Sequence, residues 1–189
     1  MIVGADRATD ADILESSHTL YAGYGLRRVY YSAFSPIPDA SRDLPPQAPP
    51  LMREHRLYQA DWLMRFYGYG AGEIAAASRH GMLDLEIDPK LAWALANREV
   101  FPLDVNRAEP ALLARIPGIG LRSVQRLVAL RRERRIRYDD LIQLRCVLDK
   151  ARPFIVTSDY RPAQAELRSG LLRARLSEPP APVQMGLWG

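Results

Sequence analysis

The residues best suited to chemistry lie just after position 115. Ile116-Pro117-Gly118-Ile119-Gly120 is followed by Leu121-Arg122-Ser123-Val124 and then by Arg126. Glycine has no Cβ, so Gly118 and Gly120 let the backbone turn tightly about Ile119 and come close to a ligand. A helix opening at Gly120 would point its first N–H groups outward, with the positive end of its dipole behind them. That arrangement binds anions such as phosphate. Arg122 and Arg126 are four apart and share a helix face, so they would add charge beside the turn. Ser123 would add a hydroxyl. Contacts of this kind fix position on a phosphate backbone and carry no base information.

Charge is concentrated around this turn. The chain of 189 residues has a net charge of +4, yet residues 107–137 hold nine arginines against two glutamates, a net of +7. Residues 1–50 are acidic, with four Lys/Arg against six Asp/Glu. A basic field of that size suits either a polyanion or a solvated helix face.

Other chemistry is poorly supplied. His18, His55 and His80 share no metal-ligand spacing, and neither His-Glu-x-x-His nor Cys-x-x-Cys occurs. His18 falls on the apolar side of a helix and reads as packing. Asp84, Glu86 and Asp88 read as a loop and a helix cap. Cys146 is the one cysteine, which rules out an internal disulfide and fits a reducing, cytoplasmic compartment. It reads as a small buried hydrophobe. No apolar run is long enough for a membrane span, and the N-terminus does not read as a signal peptide.

The elements that must position the turn follow from periodicity. Residues 2–5 have strand character, residues 10–24 carry apolar positions at helical spacing, and residues 26–34 are rich in Val and Tyr. Strand–helix–strand at this length is a βαβ unit with parallel strands. One such unit cannot cover both sheet faces, so the chain is expected to begin in the middle of a fold. Six prolines between residues 35 and 50 predict an extended connection. Helices are predicted over 51–67, 71–79 and 89–97, the last with Asp88 as N-cap and Pro89 at its first position. Tyr58, Trp62, Phe66, Tyr67 and Trp93 read as core rather than as a stacking platform. A short helix from Pro110 presents Leu112, Leu113 and Ile116 on one side, and the helix after Gly120 carries a stripe of Val124, Leu127 and Val128. Residues 138–144 form a further helix that packs in support. Residues 163–176 hold a possible short helix within a tail of the kind that is usually disordered.

Ile116–Gly120 with its flanking helices resembles the helix–hairpin–helix family, whose pattern is apolar, Pro-Gly, apolar, Gly, three variable residues and a small residue. Asp104-Val-Asn106-Arg-Ala108 is similar to the lead-in of the subgroup that includes bacterial DNA-uptake and repair proteins. Val124 departs from the usual Ala, which would set the helices slightly further apart. The resemblance implies non-specific duplex DNA binding by Gly118, Ile119, Gly120, Arg122, Ser123 and Arg126. It also implies a monovalent cation held by the carbonyls of Ala114, Ile116 and Ile119 and bridging to phosphate. A second, degenerate hairpin follows at Arg145-Cys146-Val147-Leu148, where glycine is missing.

A wider resemblance covers nearly the whole chain. Leu26-Arg-Arg-Val-Tyr-Tyr-Ser-Ala-Phe-Ser-Pro-Ile-Pro, Arg56-Leu-Tyr-Gln-Ala-Asp-Trp-Leu-Met-Arg-Phe-Tyr-Gly, Asp88-Pro-Lys-Leu-Ala-Trp-Ala and Lys150-Ala-Arg-Pro-Phe-Ile look like the C-terminal half of the bacterial DNA modification/repair radical SAM proteins. That resemblance implies a partial TIM-type barrel, a [4Fe–4S] cluster, S-adenosylmethionine and a uracil-DNA-glycosylase-like partner. The cluster needs a Cys-x3-Cys-x2-Cys loop, and one cysteine cannot supply it, so the chain alone is not expected to be active.

The expected architecture is mainly α: a βαβ barrel remnant (1–35), a Pro-rich connection (36–50), a helical connector (51–104), a helix–hairpin–helix domain (105–156) and a tail (157–189). At the tip, Gln184-Met185-Gly186-Leu187-Trp188 resembles the bacterial sliding-clamp-binding peptide, Gln-Leu-x-Leu-Phe. Leu187 and Trp188 would fill an apolar pocket and Gln184 would bond at its rim, with Met185 in place of Leu. Three functional classes follow: a DNA-binding module of a repair enzyme, a protein-interaction domain, and a catalytic half that needs a separate chain for its cluster cysteines.

Overall fold

Thr9 opens the first helix as a capping box. Its hydroxyl accepts from the Asp12 N–H at 3.2 Å, and Asp12 Oδ2 accepts from the Thr9 N–H at 2.8 Å. Helix α1 (Asp10–Tyr24) ends where Gly25 adopts φ +65°. It connects β1 (Ile2–Val3) to β2 (Ser32–Ala33), and the two strands pair in parallel. The structure is a computed structural model that describes residues 1–38, 41 and 43–177.

Helix α2 (Leu51–Tyr67) ends at Gly68, as its pattern predicts. It is stitched to the βαβ unit by Tyr58, whose hydroxyl accepts from the Tyr31 N–H at 3.0 Å and donates to the Tyr31 carbonyl at 2.9 Å. Helix α3 (Ala71–Ala76) is shorter than predicted, because the chain turns through residues 77–82. Helix α1 packs on both α2 and α3. Helix α4 (Pro89–Ala96) starts where the Asp88 carboxylate accepts from the Leu91 N–H at 2.8 Å.

Periodicity did not reveal a second parallel pair, β3 (Leu103–Asp104) with β4 (Ile155–Val156). Two-residue strands carry too little alternation to be recognised. This pair brackets helices α5 (Pro110–Arg115), α6 (Leu121–Glu133), α7 (Tyr138–Gln143) and α8 (Leu148–Ala151).

Residues 157–177, the described part of the stretch expected as a tail, pack on the rest of the chain. Helices α9 (Gln164–Arg168) and α10 (Leu172–Leu176) bury Leu167, Leu172 and Leu176. Arg98 donates to the carbonyls of Leu167 and Ser169, each at 3.0 Å, and Arg173 forks onto Asp84. Hence Asp84 is an ion-pair partner as well as a loop residue. One apolar cluster runs from Val3 to Leu176. The chain is mainly helical, and no helix among the described residues is long and apolar enough to cross a membrane. The tip residues Gln184, Met185, Leu187 and Trp188 lie outside the described residues.

A buried ion pair ties the first half together. Arg53 Nε meets Asp10 Oδ1 at 2.6 Å, with side chains 10% and 0% exposed. Asp10 Oδ2 also accepts from the Leu83 N–H at 2.9 Å, and Arg53 reaches the Ala8 carbonyl at 3.0 Å. Removing one member leaves the other charged and buried without its counter-ion. Asp10→Ala should therefore lower unfolding stability by about 3–5 kcal/mol, measured by urea denaturation. A loss below about 1 kcal/mol would show that the pair is not an anchor.

Candidate functional site

The turn between α5 and α6 is held from three sides. Pro110 starts α5, which ends at Ile116 with its N–H on the Leu113 carbonyl at 3.2 Å. Gly118 then adopts φ +80°, the left-handed region open mainly to glycine. The Gly118 carbonyl accepts from the Val147 N–H at 2.9 Å. A Cβ on Gly118 would lie 2.4 Å from the Val147 carbonyl oxygen and 3.2 Å from the Ala151 nitrogen. The close approach expected for this glycine is thus made to the chain itself, at the start of α8. Gly120 is different. It has extended backbone at φ −86°, and a Cβ there would meet only the Tyr67 hydroxyl, at 3.8 Å. It opens α6 with no side-chain cap.

The expected lead-in acts as a brace. The Asp104 carboxylate accepts from the Asn106 N–H at 2.9 Å. Asn106 then bonds reciprocally to the backbone of Ile136: its amide oxygen accepts from the Ile136 N–H at 2.7 Å, and its amide nitrogen donates to the Ile136 carbonyl at 3.2 Å. The chain entering the hairpin is so tied to the chain leaving α6.

The arginines divide into two groups. Arg115 lies inward: it forks onto Glu73 at 2.7 and 3.2 Å and sits over the rings of Tyr69 and Trp93. Arg131 donates to the Ala108 carbonyl at 2.7 Å. Arg134 forks onto Asp140 at 2.8 and 2.7 Å, and Arg137 meets Asp159 at 3.1 Å. Arg107 lies 3.7 Å from Asp104. The Glu73 carboxyl is held below its usual range by the Arg115 hydrogen bond, and that of Asp140 by the hydrogen bond from Arg134. By contrast, Arg122, Arg126, Arg132 and Arg135 are exposed and make no hydrogen bond or ion pair among the described residues. The basic field read from sequence is therefore smaller than the arginine count implied.

Two expected contacts are used inside the fold. Ser123 is buried, and its hydroxyl donates to the Leu144 carbonyl at 2.8 Å, which turns it away from any phosphate. The Ile119 carbonyl, assigned to a bridging cation, accepts from Lys90 Nζ at 2.6 Å. The Ile116 carbonyl accepts from the Ile119 N–H at 3.2 Å, and Ala114 is buried in the last turn of α5. Lys90 had no signal in the sequence, because nothing local links α4 to the turn. Its ammonium also lies 4.8 Å from the centre of the Tyr67 ring. Burial pushes its pKa down to about 8.

The segment read as a second, degenerate hairpin packs against the turn. Arg145 stands at φ +60° where glycine would be at ease, and the segment that follows carries the Val147 N–H to Gly118. Cys146 is buried, and burial pushes its thiol up, so it is not a poised nucleophile. His18, expected to pack, is exposed, as are His55 and His80. Among the described residues no group of His, Cys, Asp and Glu could hold a metal ion. No protein-family model matches the chain, and comparison with curated proteins and with solved structures finds no similar protein.

The two glycines should respond differently. Gly118→Ala is strained in φ and meets backbone, so we expect a stability loss of at least about 1–2 kcal/mol from the left-handed conformation alone. Gly120→Ala should stay within about 1 kcal/mol of the parent in the same urea titration. Equal losses would place the constraint elsewhere. Lys90 gives a separate signature. Its pKa in the fold lies below that of the unfolded chain, so the protonated form is disfavoured on folding. Stability should rise from pH 8 toward about 10, the ordinary lysine range, and Lys90→Met should flatten that rise.

Proposed function

We propose that this chain binds duplex DNA through phosphate contacts, without reading base sequence, at the turn from Gly118 to Gly120 and the exposed face of α6. The observation that carries this is the uncapped start of α6 at Gly120, where a Cβ would meet no atom closer than the Tyr67 hydroxyl at 3.8 Å, beside Arg122 and Arg126, which have no acidic partner among the described residues. A helix start of 13 residues supplies N–H groups and dipole, and the two guanidinium groups supply charge. The resemblance to the helix–hairpin–helix family supports the same reading. Ser123 is left out of it, and Ile119 contributes backbone only.

The wider resemblance supports a role as the DNA-holding part of a DNA modification/repair enzyme. A [4Fe–4S] cluster does not fit the donors of this chain. Three thiolates are needed, and the single one, Cys146, is buried and held as the thiol. No reaction step is therefore assigned to the chain alone.

The test is a binding titration on short duplexes of unrelated sequence at several salt concentrations. The parent should bind in the micromolar range or weaker, with similar affinity for each duplex and a steep fall as salt rises. Arg122→Glu with Arg126→Glu should weaken binding on every duplex alike and reduce the salt slope by about one per arginine. Unchanged binding in that double variant, or an affinity indifferent to salt, would overturn the reading in favour of a protein partner.

A further inference from the structure

A cleft of about 420 Å³ opens between α2 and the start of α4, lined by Tyr58, Trp62, Tyr67, Lys90 and Lys150, with Gln59 at its side. Its size falls in the range of small-ligand sites. Tyr58, Gln59 and Trp62 share one face of α2, within about 100° of one another, and Tyr67 enters the lining from the last residue of the helix. Trp62 is 52% exposed, although aromatics of this helix read from sequence as core.

The cleft abuts every residue of the turn. Lys90 donates to the Ile119 carbonyl, the Tyr67 hydroxyl is the neighbour that a Cβ on Gly120 would meet, and Lys150 Cβ is 3.3 Å from where a Cβ on Gly118 would stand. A phosphate at the start of α6 would therefore have its own or the next nucleoside at the mouth of the cleft.

We propose that this cleft takes one unpaired nucleotide of a DNA strand, the base against Trp62 and Tyr67 and the phosphate toward the ammonium groups of Lys90 and Lys150. Aromatic faces accept any base by stacking, and two lysines beside them match the negative backbone. Lys150 is 3.1 Å from Asp88, so the acidic group in the wall already has a cationic partner. The Gln59 amide oxygen accepts from Arg56 at 2.8 Å, which leaves its amide nitrogen as the donor for a base edge. An apolar peptide would have no use for two lysines, and a paired base has no exposed face to offer. The site would hold the end, gap or opened position of a duplex whose backbone is gripped by the turn. The inference rests on the duplex reading above for its context, and the cleft itself is tested apart from it.

Three probes separate the two. The full chain is titrated with a blunt duplex, with the same duplex carrying a short single-stranded overhang, and with a free deoxynucleoside monophosphate followed by tryptophan fluorescence. The overhang should tighten binding by about tenfold, the effect of one base–aromatic stack. Trp62→Ala should remove that gain while blunt-duplex affinity stays as in the parent, and Trp62→Phe should restore most of it. The mononucleotide should quench fluorescence in the parent and not in Trp62→Ala. If the blunt duplex fails to bind but the mononucleotide still quenches through Trp62, the cleft stands and the duplex reading falls. Equal affinity for blunt and overhanging duplexes, with no mononucleotide quench, overturns the cleft. So does a Trp62→Ala variant of parental circular dichroism that loses both duplexes equally.

Discussion

The geometry of the candidate site depends on one backbone conformation, the left-handed turn at Gly118. Only a residue without Cβ fits there, for two independent reasons. The φ of +80° disfavours any L side chain, and the Val147 carbonyl would lie 2.4 Å from the added carbon. From that turn the Gly118 carbonyl reaches the Val147 N–H, which sets α8 against the hairpin. The same turn brings Gly120 to the surface as the first residue of an uncapped helix. Tight packing on one side of the turn thus produces an open helix start on the other. A glycine that looks like a device for approaching a ligand is here a device for approaching the protein's own chain, and the uncrowded glycine is its neighbour two residues on.

Local packing also decides which arginines remain available. Nine arginines in a short stretch look alike in sequence. In the fold, Arg115 points into a box of Tyr69, Trp93 and Glu73, while Arg131 closes the loop before α5. Each binds carbonyls or a carboxylate of the fold through charged hydrogen bonds of the stronger kind. Arg122 and Arg126 are spared: both are exposed, and neither has an acidic partner among the described residues. Their spacing of four keeps them together beside Gly120. What orients the field is therefore not arginine number but the placement of Glu73, Asp140 and Asp159.

Much of the local structure was legible from residue types. The Asp88-Pro89 pair marked the start of α4 because capping chemistry is local. The parallel βαβ unit followed from spacing and composition. The break between α5 and α6 was legible because Pro-Gly interrupts a helix by local chemistry, but the segment that Gly118 packs on lies far along the chain. Failures came where a distant partner decides. Ser123 reads as a surface hydroxyl, yet the Leu144 carbonyl draws it inward. Residues 164–176 are weakly patterned, and they are ordered by Arg98, Asp84 and a shared apolar core that lie far away in sequence. Trp62 and Phe66 look like core, but α2 buries Leu57, Ala60 and Leu63 instead and leaves those two rings in tilted contact, centroids 4.3 Å apart, and open to solvent. Amphipathic helices choose a buried face by what packs on them, and aromatic content alone does not say which face that is.

Lys90 shows how such a distant partner changes chemistry as well as packing. A lysine on the first turn of α4 sits at the wrong end of a helix dipole for a cation. Burial lowers its affinity for a proton further. The Ile119 carbonyl and the face of Tyr67 compensate for part of that loss, because both present negative charge to the ammonium. An ammonium held in this way is under-neutralised: its neighbours offer dipoles and a ring, while the nearest carboxylate, Asp88, is engaged by Lys150 and by the α4 N–H of Leu91. An arriving phosphate would supply the full negative charge that this pocket of the fold lacks. It would meet the same ammonium that braces the Ile119 carbonyl, so holding the turn in shape and attracting an anion to it would be two roles of one charge.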